Sequence, residues 1–106
     1  GGGGGHTVIG ADGSVNNGGN GGAGINLTDI WADIDVSMLK IALGHGGGGG
    51  GRGWSVLEAN AGVATHGGGF KTTGAVANTG GGGYGAMITS TPGNGADGIV
   101  IVRYAA

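Results

Sequence analysis

Side chains able to do chemistry are scarce in this chain: six acids, four bases and three histidines in 106 residues. Asp29, Asp33, Asp35 and Glu58 are the acids nearest one another. A carboxylate pair is what a glycoside hydrolase would need. Asp12 and Asp97 each stand in a Gly-Ala-Asp-Gly quartet, where Asp is ordinary turn chemistry. His6, His45 and His66 all adjoin glycine clusters, so they could hold a metal only if those clusters met at one end. Surface positions at cluster ends are the simpler reading. Asn26-Leu27-Thr28 matches the glycosylation sequon, a pattern with many chance hits. No glycine loop ends in Gly-Lys ahead of a helix, so the glycines do not read as a phosphate cradle. The balance is against an enzyme, and no cofactor or metal is expected.

The elements that would position these groups are built mostly of glycine. It supplies 33 residues against one proline and no cysteine. Collagen needs strict period three and abundant proline, and both are missing. A flexible linker is usually charged or serine-rich, whereas this chain is 9% charged and 38% hydrophobic. The glycine therefore reads as packed rather than free. Without disulfides, backbone packing or assembly must stabilise so small a domain. The net charge is −2, and Lys40, Arg52, Lys71 and Arg103 stand singly. That gives no basic stripe for nucleic acid. No apolar run approaches the ~20 residues of a spanning helix, so membrane insertion is not expected. An opening on glycine rather than methionine reads as a fragment, or the end, of something longer.

Glycine clusters fall at residues 1–5, 18–24, 44–53, 66–70, 80–85 and 93–98, with mixed connectors between them. Their spacing drifts, which argues against a solenoid of fixed period. Polyproline II geometry has three residues per turn and no internal hydrogen bonds. Every main-chain donor and acceptor must then find a partner outside its own rod. A rod enclosed on all sides has to be glycine throughout, as in residues 46–51. A surface rod can carry side chains on one face, as Asn20 and Ala23 do three residues apart. The expected fold is mostly irregular and all-β-like: a sandwich of packed polyglycine II helices with long loops, forming one domain over 1–106. Short strands are expected at 35–43, from the alternation Ile34-Val36-Met38, and at 99–104, from four consecutive β-branched residues. The unbroken apolarity of the latter predicts cover on both faces.

Ala75 to Gly85 (AVANTGGGGYG) and Gly95 to Tyr104 (GADGIVIVRY) resemble the closing half of the glycine-rich domains that tip bacteriophage tail fibres. Leu39 to Gly51 (LKIALGHGGGGGG) looks like the same family's internal strand entering a glycine block. The likeness spans about Leu39 to Tyr104. It implies an adhesin of the virion, acting outside the cell, whose loops bind an outer-membrane protein or a surface glycan. It also implies attachment to the rest of the fibre, either as a capping subunit or as the end of the fibre polypeptide, in one copy or three.

A glycine rod offers no side chain for recognition, so the connectors must carry it. The candidate receptor-binding residues are the aromatics at cluster ends and the small polar loops beside them. These are Trp31, Trp54, Phe70, Lys71, Thr72, Thr73, Tyr84, Thr89, Ser90 and Thr91. For Trp54 and Tyr84 the competing role is capping the glycine core. Two other identities are open: an ice-binding protein of stacked polyproline II helices, and a purely structural fibre cap.

Overall fold

Residues 46–51 run through the middle of the molecule, and their main-chain groups define its architecture. The computed structural model describes residues 1–52, 61–86 and 91–105. Residues 47–51 are buried, and five other stretches of chain hydrogen-bond to this run. Gly3 and His6 donate to the carbonyls of Gly49 (2.9 Å) and Gly46 (2.7 Å). Gly48 and Gly51 donate to Gly22 (3.0 Å) and Gly19 (2.9 Å). Thr65 and Gly62 donate to Gly48 (3.2 Å) and Gly51 (2.9 Å). Gly82 and Gly85 donate to Gly47 (2.9 Å) and Gly50 (3.0 Å), while Gly47 and Gly50 donate to His66 (3.3 Å) and Gly69 (3.0 Å). Each neighbour is met at two positions three residues apart. Neither the two-residue alternation of a β-ladder nor the i→i−4 bonding of an α-helix produces that spacing. By register the first three stretches run antiparallel to residues 46–51 and the last two parallel.

Close approach, rather than unusual dihedrals, is what requires glycine here. Among the described residues only Gly46, Gly67 and Gly80 combine glycine with a positive φ. A Cβ on Gly48 would fall on the carbonyl oxygen of Gly3, one on Gly49 on that of Gly83, and one on Gly50 on that of Gly62. On Gly51 it would meet Gly1, back in the first stretch. Successive α-carbons thus face three different neighbours, and the fourth returns to the first.

The regular elements lie in the connector between Gly24 and Gly46. Strand β1 (Ile25–Asn26) pairs antiparallel with β2 (Gly44–His45), Ile25 opposite His45, and closes the connector's base. Helix α1 (Leu27–Ile30) follows β1 directly; the Asn26 amide donates to the Asp29 carboxylate at 3.3 Å. Helix α2 (Val36–Leu39) is started by Asp35, whose carboxylate accepts from the Met38 amide at 2.9 Å. Lys40 ends it in the left-handed region at φ 54°, a common helix stop.

The predicted strand over 35–43 is therefore corrected to a capped helical turn. An N-cap carboxylate satisfies amides that a lone two-residue alternation leaves open. The predicted strand over 99–104 is also corrected, because residues 98–105 make no main-chain hydrogen bond to another described residue. β propensity needs a partner edge, and the described residues present none there. Nor are both faces covered, since Val100 and Val102 are 89% and 74% exposed.

The side-chain core is minimal. Leu27 is the buried hydrophobic residue, and Thr79 and His45 the buried polar ones, among the described residues. The interior is backbone. Thr79 serves that backbone: its hydroxyl donates to the Val76 carbonyl (2.6 Å) and accepts from the Gly81 amide (3.2 Å). The molecule measures 54 × 21 × 17 Å.

Candidate functional site

The candidate contact residues separate into two groups. Phe70 and Thr73 close a two-residue hairpin, with Phe70 donating to Thr73 (2.9 Å) and Thr73 to Phe70 (2.8 Å). Lys71, first in its turn, holds φ 56°, a value such turns usually give to glycine. Its ammonium lies 5.1 Å from the centroid of the Phe70 ring, within cation–π range. Phe70 and Lys71 are half-buried, whereas Thr72 and Thr73 are exposed.

Tyr84 stands beside this hairpin. A Cβ on Gly69 would lie 2.9 Å from the Tyr84 amide nitrogen and 3.1 Å from the Thr73 carbonyl oxygen. The Tyr84 ring lies against Gly93, whose amide donates to the Tyr84 carbonyl at 3.0 Å. One face of Tyr84 is therefore spent on packing, in keeping with a capping role. Thr91, two residues before Gly93, is exposed. Trp54, Thr89 and Ser90, and Glu58 among the acids, lie outside the described residues.

Trp31 belongs elsewhere. Gly46 bonds to His6 and Thr79, and Gly80 donates to Asp97 (2.8 Å). The connector between Gly24 and Gly46 and residues 98–105 therefore leave from the same end of the ladder. Gly69, which leads into Phe70, bonds to Gly50 further along. At the Gly46 end, Trp31 and Ile101 both line two neighbouring grooves of about 420 Å³ and about 310 Å³. The larger groove adds Met38, Asp33 and Arg103; the smaller adds Leu27 and His45. Arg103 forks onto Asp33 with both distances 3.1 Å, and its guanidinium sits 5.9 Å from the Trp31 ring centroid. Sequence reasoning missed Ile101, Arg103 and Asp33 as neighbours of Trp31. No local signal joins residues 70 positions apart.

Two of the three histidines are engaged by main-chain groups. His66 Nδ1 accepts from the Gly24 amide at 3.2 Å, and His45 Nε2 lies 2.7 Å from the Ala42 carbonyl oxygen. Among the described residues no cluster of His, Cys, Asp or Glu is arranged to hold a metal. No helix there is long and apolar enough to cross a membrane. Chemically, the Phe70 hairpin offers an aromatic face, an ammonium and two hydroxyls. Comparison with protein families, curated proteins and solved structures finds no match.

Proposed function

We propose that this chain is the host-recognition tip of a bacteriophage tail fibre, in which packed polyglycine II rods form a sandwich that holds connector loops towards a bacterial receptor. Hydrogen bonding at every third residue around 46–51 is the observation that supports it. Three residues per turn with all polar groups turned outward is the polyproline II arrangement, and mutual bonding between such rods satisfies those groups without side chains. Recognition then falls to loops on a rigid support. The hairpin of Phe70 and Thr73, with Lys71 and Thr72 at its turn, is the leading contact. The receptor is a protein loop or glycan of the outer membrane. The chain acts outside the cell as part of the virion, joined to the rest of the fibre, and is not an enzyme.

Binding of the purified chain to bacterial cells tests this. The chain should compete with phage adsorption, and replacing residues 70–73 by a two-glycine turn should abolish competition while leaving the melting temperature in place. Undiminished competition by that variant would remove the hairpin from the contact. Failure of the unaltered chain to bind any strain that the phage infects would remove the adhesin role itself.

A further inference from the structure

We infer that two copies of this chain join through residues 98–104, paired antiparallel across a two-fold axis at Ile101. The segment has the composition of a strand but joins no sheet among the described residues. Gly-Ile-Val-Ile-Val-Arg-Tyr is the strongest strand-forming run in the sequence, yet residues 98–105 bond to no other described main chain. Such a row of open amides and carbonyls is a template for another strand. Ile101 lines both grooves beside Trp31, and Val102 and Tyr104 border the larger one, yet Val100, Val102 and Tyr104 remain 89%, 74% and 82% exposed. Met38 at 81% and Leu39 at 53% extend the bare apolar surface at this end. A contiguous patch of this kind marks an interaction site.

Charge and register select a second copy as the occupant. Arg103 is the segment's one charged residue, and Asp33 of its own chain already pairs with it at 3.1 Å. Two such strands therefore meet without an uncompensated like charge. With Ile101 on the axis, Val100 falls opposite Val102 of the second copy, and Tyr104 opposite Gly98. A Cβ built on Gly98 meets nothing within 4 Å, so a tyrosine ring has room there. An aromatic residue across from a strand glycine, and β-branched residues across from each other, are favourable cross-strand pairs. Two-fold symmetry forms each of these pairs twice. The pairing is independent of the receptor role proposed above.

Sedimentation equilibrium of the whole chain should give twice the chain mass, and Val102→Lys should weaken dimerisation by about tenfold or more, because both symmetric Val100–Val102 pairs are lost. Exposed Val102 is not part of the interior, so V102K should retain the unaltered chain's circular dichroism. Cross-linking tests the register. The chain has no cysteine, and directly opposed antiparallel residues have Cα atoms ~4.5–5.5 Å apart, within disulfide reach. Ile101→Cys should oxidise to a covalent dimer, whereas Val100→Cys and Tyr104→Cys, each opposite a different residue, should cross-link at least about tenfold more slowly. A monomer or trimer by mass, or equal cross-linking at all three positions, would overturn the proposal.

Discussion

The α-carbon of Gly48 faces the carbonyl oxygen of Gly3 with no room for a methyl group between them, and an added Cβ would also lie 2.7 Å from the Gly22 amide nitrogen. Gly48→Ala must therefore push two stretches of backbone apart at once. The expected loss is at least the ~1–3 kcal/mol typical of overpacking, read as a fall in melting temperature of roughly 4–8 °C per kcal/mol for a domain of this size. Gly74→Ala is the control. A Cβ there meets nothing within 4 Å, so the melting temperature should hold or rise slightly as the unfolded chain loses freedom. Equal effects at the two positions would mean that the central run is not enclosed.

Thr79 permits a second test of the backbone interior. It is 3% exposed and ties the Val76 carbonyl to the Gly81 amide. Thr79→Val keeps the shape but strips the Gly81 amide of its partner and leaves the Val76 carbonyl only the Thr79 amide, at 3.4 Å. A loss of about 1–3 kcal/mol is expected from urea unfolding, the usual cost of a buried group left unsatisfied. An unchanged midpoint would place that turn in water.

Lys71 separates stability from contact. Lys71→Gly relieves a left-handed φ that costs a side-chain-bearing residue roughly 1–2 kcal/mol, and it forfeits a cation–π contact worth ~0.5–1 kcal/mol at an exposed site. The melting temperature should stay level or rise by a few degrees, while binding to host cells falls several-fold. A variant that binds cells as well as the parent would show that the ammonium does not touch the receptor.

The fork of Arg103 onto Asp33 is a contrasting case, because the two side chains are 57% and 73% exposed. Water and salt screen such a pair, and its contribution is at most ~1 kcal/mol. Asp33→Asn should lower stability by less than that at low ionic strength. The difference should vanish in 1 M salt, where screening acts within ~3 Å.

The ice-binding alternative makes an opposite prediction. Small residues at period three in a surface rod are confined to Asn20 and Ala23, and Asn20 is occupied in accepting from the Val63 amide at 2.8 Å. Osmometry of the purified chain should show no thermal hysteresis; a measurable gap would replace the adhesin reading.

The centre of the fold was legible because residues 46–51 carry no side chain to vary the outcome: flanked by apolar segments, such a run has little to do but pack. Local competition hid the rest. The alternation Ile34-Val36-Met38 is visible in the letters, but the Asp35 cap that defeats it is a matter of which amide is nearest. Residues 99–104 have the composition of a strand without, among the described residues, the neighbour that would make them one. Trp31 stands out in the letters as an aromatic, yet its setting against Ile101 and Arg103 depends on where two distant connectors leave the glycine ladder. The hairpin's loop character could be read, whereas the stacking of Lys71 on Phe70 could not.

An interior made of main chain has no rotamers to rearrange. Where ordinary proteins transmit a surface change inward through interlocking side chains, here a new hairpin or aromatic meets only peptide groups whose geometry is already set by their neighbours. Connector sequences can therefore diversify one at a time, each leaving its siblings' footing undisturbed. Such independence suits a surface obliged to follow a changing target.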